Sequence, residues 1–420
     1  MTRLLFLLTS CLGCTFLCGQ PIAGSWQGTV SYREANLPIQ LLIRQSGDSL
    51  SAKGSIPQLV YYDQDWPINK DYIASLPFGL GEFLLSQKGD SLVGQQGPFR
   101  LQLMRTFLPA YRREEVTWKN DTVRLNGTIY LPDSDPPYPA VVLTHGANTG
   151  TRTNWNYQSW AFPYLEEGFA VLLYDRRGEG QSTKVDNGLT TFLDLRDDLL
   201  GGITLFREHP AIRSDRIGIG GGSQAGYLAF MAAGADTLVA FLALRSASSH
   251  TLDQGEITMV RTEMLRDGLP WQSVQDAQAY MRRLFAYVQT GDDWEALQTA
   301  TDRIRSEPWA EYIGLPSEPS GLTWWRHNVP TWQPDHLLPQ LTLPVLLQFG
   351  KEDVIVPPYE NVSRFSYLLE ESDLELHVYP DCGHNLELPA GNDKQGNFRW
   401  FGKHPDMLRD LRLFLRKHKE

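Results

Sequence analysis

One stretch constrains this chain more than any other: Arg216-Ile-Gly-Ile-Gly-Gly-Gly-Ser-Gln-Ala-Gly-Tyr-Leu-Ala-Phe230. Ile217 and Ile219 are β-branched residues set among glycines, which suits a buried strand. Tyr227, Leu228, Phe230 and Met231 suit a packed helix. Strand and helix are joined by a turn so tight that its flanks admit only small side chains. Gly221, Gly222, Ala225 and Gly226 meet that need. A strand that runs straight into a helix predicts a layered α/β domain.

Ser223 stands at the turn, with Gly221 two residues before it and Ala225 two after it. The pattern G-x-S-x-G is met except for one extra methyl at its last position. It reads as a nucleophile elbow, in which a serine on a strained turn raises its hydroxyl above a sheet. Gly220 to Ala225 also satisfy G-x-G-x-x-A, the fingerprint of a dinucleotide site. That site needs a carboxylate about 20 residues on, at the end of the next strand, to hold a ribose. The next strand, Val239-Ala-Phe-Leu-Ala-Leu-Arg-Ser246, offers none. A Gly-rich turn without chemistry stays open on the turn alone, so the rest of the chain decides.

With 420 residues there is room for two domains and a large core. The net charge of -11 disfavours nucleic acid and anionic membrane surfaces as partners. The first 19 residues read as an export signal peptide. Arg3 supplies the positive charge, and Leu4 to Leu8 with Leu12, Phe16 and Leu17 supply the apolar core. Cleavage after Gly19 makes Gln20 the first mature residue. Leu8-Thr-Ser-Cys11 also resembles a lipobox, which would place a lipid anchor on Cys11. Either way the expectation is export, to the periplasm or outside the cell. Cys11, Cys14 and Cys18 lie in this segment, so the cleaved chain keeps Cys382 alone. It then forms no intrachain disulfide and no cysteine zinc site.

Residues 20–108 predict a small all-β module, sandwich- or barrel-like. Gly47-Asp-Ser-Leu50 and Gly89-Asp-Ser-Leu92 are two similar hairpin turns. Its aromatics, Trp26, Tyr61, Tyr62 and Trp66, either fill a small core or bind a sugar or partner. From about Pro109 to residue 420 strands and helices alternate, the signature of an α/β sheet. Val123–Leu131, Ala140–Thr144 and Phe169–Tyr174 are strands, and 192–206 is a helix. The rhythm stops from about Thr251 to Asp335, which is helical and dense in aromatics, and reads as a cap. It resumes at Leu343–Gly350 and closes with Leu374–Tyr379 and an amphipathic helix, Met407–His418.

Serine alone is a poor nucleophile at neutral pH. It needs a histidine to take its proton and a carboxylate to fix that histidine's tautomer. Asp353 follows one buried strand and His384 follows the last, both at carboxyl ends where open α/β sheets place their sites. Glu352 is the alternative acid. Asp381 reads as a turn residue. Acyl transfer also builds a negative oxygen that two backbone N–H groups would hold. Gln224, the residue after the serine, supplies one, and Ala147 in the loop after the strand at 140–144 supplies the other. His145 reads as a structural residue of that loop.

At this point the chain resembles the α/β-hydrolase superfamily, most of all its bacterial dienelactone-hydrolase-like and serine-esterase branch. The resemblance spans Glu114 to Glu420. It rests on His145-Gly146, Asp175-Arg-Arg-Gly-Glu-Gly180, Gly221-Gly-Ser-Gln-Ala-Gly226, Gly350-Lys-Glu-Asp353 and Gly383-His384. It implies an α/β-hydrolase fold, a mostly parallel sheet flanked by helices, with a helical cap and the small all-β domain in front. It implies a triad of Ser223, Asp353 and His384, with Asp175 bracing the loop beside the elbow. The expected activity is hydrolysis of small carboxylic esters without metal or organic cofactor. The cap aromatics suggest an apolar or aromatic substrate group, or else they pack the cap. Two other readings stay open: a peptidase or amidase of the same superfamily, and an exported glycan- or partner-binding protein whose hydrolase domain is inert.

Overall fold

The computed structural model describes residues 22–108, 110–147, 150–186 and 188–420. The expected signal peptide, with Cys11, lies outside the described residues. By its internal contacts the chain divides into two compact units. The first holds the residues up to Tyr32 with Ile39–Gly54 and Asp65–Leu108. The second runs from Pro109 to Glu420 and takes in Arg33–Pro38 and Ser55–Gln64.

The first unit is built on the strands that its sequence predicts, arranged around a seven-stranded sheet. Both Gly-Asp-Ser-Leu turns join strands, and Gly47 and Gly89 take φ of 59° and 60°, where a side chain is disfavoured. Trp26 and Trp66 are buried, and the Trp26 indole donates to the Ile22 carbonyl at 2.9 Å. Tyr62 falls in the second unit, buried and stacked on Phe162 with ring centroids 4.8 Å apart. Three of the four aromatics noted in the sequence therefore fill cores.

The second unit is an eight-stranded sheet flanked by helices. Its elements run β1 Tyr111–Asn120, β2 Val123–Pro132, β3 Tyr138–Leu143, α1 Trp155–Glu166, β4 Ala170–Tyr174, α2 Phe192–Glu208, β5 Ile212–Gly222, α3 Ala225–Ala235 and β6 Leu242–Arg245. The cap helices α4 Leu252–Arg266, α5 Trp271–Thr290 and α6 Trp294–Ile304 follow. The chain closes with β7 Val345–Gly350, α7 Pro358–Leu368, β8 Leu374–Tyr379 and α8 Pro405–His418. The strand order is β1-β2-β4-β3-β5-β6-β7-β8. β1 and β2 are antiparallel to their neighbours, and β4, β3 and β5 to β8 run parallel. β4 is wholly buried and wholly apolar because helices cover both faces of a parallel sheet. β1 is charged along its length because it is an edge. Neither β1 nor α1 stood out in the sequence.

α2 starts at a capping box, with Thr191 and Asp194 each accepting from the other's backbone N–H. The cap leaves the sheet after β6 and returns at β7. These two strands are hydrogen-bonded neighbours, so the insertion does not interrupt the sheet. α8 packs Met407, Leu408, Leu411, Phe414 and Leu415 into the core.

Candidate active site

The elbow forms where β5 ends and α3 begins. Ser223 takes φ of 60°, the left-handed region that non-glycine residues avoid. Two bonds hold it there. Its N–H donates to the Arg245 carbonyl on β6 at 2.9 Å, and its carbonyl accepts from Gly226 N–H at 2.8 Å. The turn is as tight as its composition implies. A Cβ on Gly221 would lie 2.4 Å from the Ala225 methyl, and one on Gly226 would lie 2.6 Å from the Ala247 Cβ. The extra methyl of Ala225 is tolerated because Gly221 opposite it has none. Gln224 caps α3, so its N–H is among the donors a helix start leaves unbonded within the helix.

The loops that carry Asp353 and His384 follow β7 and β8. Asp353 Oδ2 lies 2.9 Å from His384 Nδ1. Its other oxygen accepts from the Ile355 and Val356 N–H groups, both at 2.9 Å. With one oxygen fixed by backbone, the buried carboxylate presents the second to the imidazole. Glu352 is exposed, whereas Asp353 is buried against the imidazole. The His384 carbonyl accepts from Ser246 Oγ at 2.8 Å, which ties the base loop to the end of β6. Asp381 is a turn residue with φ of 59°.

His145 is buried, and Nε2 lies 2.7 Å from the Tyr174 carbonyl. A carbonyl only accepts, so that nitrogen carries a proton and Nδ1 does not when the ring is neutral. Burial, with the Arg176 guanidinium near it, pushes the imidazole down to about 3. It therefore stays neutral at neutral pH. The Gly146 N–H donates to Tyr157 Oη at 2.8 Å, so it is already occupied. Ala147 is exposed at the mouth of the site. Asp175 braces the neighbouring loop: it pairs with Arg152 and accepts from the Arg152 and Gln181 N–H groups.

Ser223, His384 and Ala147 line one cleft of about 710 Å³. Trp155, Tyr157 and Trp160 of α1 form its aromatic wall, with Arg245, Glu387 and Lys403 as its charged groups. Among the described residues none of the cap's tryptophans lines it. Trp324 packs edge-on to Phe192, Trp325 edge-on to Phe285, and buried Trp332 against Tyr227 and Phe230. Of the two roles expected for the cap aromatics, packing is the one observed for these three. The sequence reading missed the α1 aromatics and the charged groups. The Trp155–Trp160 spacing directly after the His145-Gly146 loop was the available signal for the former, and an arginine ending an otherwise apolar strand was the signal for Arg245.

A profile of the alpha/beta hydrolase family matches residues 141–393, and the chain belongs to that family. It is thereby placed among hydrolases. It is 26% identical over 278 residues to a bifunctional esterase/perhydrolase of Acinetobacter calcoaceticus, covering 61% of this chain and 90% of that one. It is 25% identical over 267 residues to a 2-hydroxy-6-oxononadienedioate/2-hydroxy-6-oxononatrienedioate hydrolase of a Pseudomonas species, covering 62% and 86% respectively. Among solved structures, an esterase of Pyrococcus furiosus aligns with a TM-score of 0.48 at 17% identity, covering 74% of this chain and 92% of that one.

Proposed function

We propose that this protein is an exported serine hydrolase that cleaves small carboxylic esters. The observation that carries this reading is the Asp353–His384 pair on the cleft that also holds Ser223 at positive φ. In this scheme His384 Nε2 takes the Ser223 proton as Oγ attacks the ester carbonyl. Asp353 holds the ring so that Nδ1 carries its proton and Nε2 can accept one, and it stabilises the imidazolium that forms. The Gln224 and Ala147 N–H groups receive the oxyanion. His384 then protonates the leaving alcohol. Water, deprotonated by His384, releases the acid and restores Ser223. No step calls for a metal or organic cofactor. The esterase activity in the name of the Acinetobacter relative is consistent with this chemistry.

The test is labelling by a fluorophosphonate probe, with wild type beside Ser223→Ala. Labelling that is lost in the variant, together with turnover of methyl esters, supports the scheme. A wild type that neither labels nor turns over esters sinks it. Export is part of the proposal, and mass spectrometry of the N-terminal peptide of the protein made in its native host reads it. Gln20 at the terminus supports signal cleavage, a lipidated Cys11 supports the anchored form, and an intact Met1 removes export.

A further inference from the structure

Arg245 ends β6, directly beside the elbow. Its Nη2 lies 3.5 Å from where a Cβ of Gly222 would stand, and its guanidinium carbon sits 3.4 Å from the centre of the Trp160 ring. Both Arg245 and Trp160 line the cleft of Ser223 and His384. Burial disfavours its charge, and the groups that favour it are only the Tyr164 and Tyr157 phenols. Among the described residues no carboxylate pairs with it. The other cation of the cleft, Lys403, is already satisfied. It pairs with Glu387 at 2.6 Å and donates to the Asn385 carbonyl at 2.9 Å.

Arg245 is half-buried, so its charge is only partly solvated, and stacking on an indole offsets only part of the desolvation that an anion would offset. The planar fork of a guanidinium matches a carboxylate through two parallel hydrogen bonds. Trp160 holds the plane of the fork, and the neutral phenols leave its charge uncancelled.

We propose that Arg245 is a specificity-determining residue that binds a carboxylate carried by the ester substrate, a short spacer from the scissile carbonyl. This rests on Ser223 being the nucleophile, since the spacer is set by the adjacency of Gly222 and Ser223. It replaces the apolar or aromatic group expected from the cap with an anionic one. Trp155 and Tyr157 accommodate the spacer. The substrate class is therefore half-esters of short dicarboxylic acids, or short esters of hydroxy acids.

The experiment compares monomethyl glutarate with its carboxamide analogue, and butyryl glycolate with butyryl glycolamide. Each pair differs only in charge, on the acyl side and on the alcohol side respectively. Hydrogen bonds to charged groups are worth roughly 10- to 100-fold. Wild type should therefore favour the acid of at least one pair by about tenfold or more in kcat/KM, mainly through KM. In Arg245→Gln that ratio should collapse towards 1, and Arg245→Lys should restore part of it. Equal use of acid and amide in both pairs by wild type overturns the proposal without any variant. So does a preference that survives Arg245→Gln. Calorimetric binding of the same compounds to the wild type, or to Ser223→Ala where wild type turns them over, separates the two readings. Absent turnover with tighter binding of an acid defeats the ester-hydrolase reading and keeps the Arg245 subsite. Turnover without any charge preference does the reverse.

Discussion

A Cβ on Gly350 would lie 2.2 Å from the Gly383 carbonyl oxygen. The loops that carry Asp353 and His384 thus meet through bare backbone. They are stitched by the Glu352 N–H donating to the Cys382 carbonyl at 3.0 Å and the Lys351 N–H donating to Tyr379 at 2.8 Å. The contact between Asp353 and His384 is set by this approach as much as by the two side chains.

Gly350→Ala should therefore part the loops. A displacement of about 1 Å at a reacting group costs on the order of 100-fold. We expect kcat to fall by about that much, with about 1–3 kcal/mol of stability lost to overpacking. Steady-state kinetics and a denaturant melt on the same preparation check both.

Asp353→Asn should lower kcat by about 10,000-fold, because an amide that donates to Nδ1 selects the wrong tautomer. The Ile355 and Val356 N–H groups can still be accepted by the amide oxygen, so the loop should persist. Glu352→Gln, on an exposed side chain, should leave kcat within about twofold. If the two variants behaved alike, the acid would be misassigned.

Ser223→Gly and Ser223→Ala should both be inactive, but they should not be equally stable. The left-handed conformation costs an L-residue about 1–2 kcal/mol and glycine nothing. The glycine variant should melt above the alanine variant. An inverted order would mean that the turn relaxes when the hydroxyl is lost.

His145 gives the protein an acid-labile term. Its imidazole is held at about 3 in the fold and is near 6.5 in the unfolded chain. Below pH 6.5 the unfolded chain binds a proton that the folded one does not, so stability falls as pH drops from there towards 3. The slope from this one group is at most about 1.4 kcal/mol per pH unit. His145→Gln should be less stable than wild type at pH 7, and the gap should narrow as the pH falls. Urea melts from pH 7 to pH 4 read the two limbs.

Trp324 packs and Trp155 lines the cleft, so their truncations should separate. Trp324→Ala should cost about 3 kcal/mol, the low end for a tryptophan because the ring is half-buried, and leave the order of preference among ester substrates unchanged. Trp155→Ala should change that order with a smaller loss of stability.

The central α/β framework was legible because its strands are short apolar runs that end in glycine or in a chemical group. Ala140–Thr144, Phe169–Tyr174 and Leu343–Gly350 needed no tertiary information. β1 was not, because an edge strand rich in Arg, Glu and Lys carries little apolar signal. The cap was recognised as an insertion, yet the place of its tryptophans was not fixed, since a packed and a lining indole have the same local sequence. The two loops that follow separate strands bring Asp353 Oδ2 to 2.9 Å from His384 Nδ1, a contact between residues 31 positions apart. Arg245 was read only as an absent carboxylate, because its meaning depends on Trp160, which lies 85 positions earlier in the chain.

The positive φ of Ser223 has a consequence for inheritance. At this one position the residue that the proposed mechanism needs is disfavoured by the backbone, and glycine, which the backbone prefers, would be inert. Drift without selection would run downhill from serine to glycine and leave a sturdier, silent protein. Under the proposed mechanism the serine in this sequence is thus a mark of use, one that the stability of the fold alone would tend to erase.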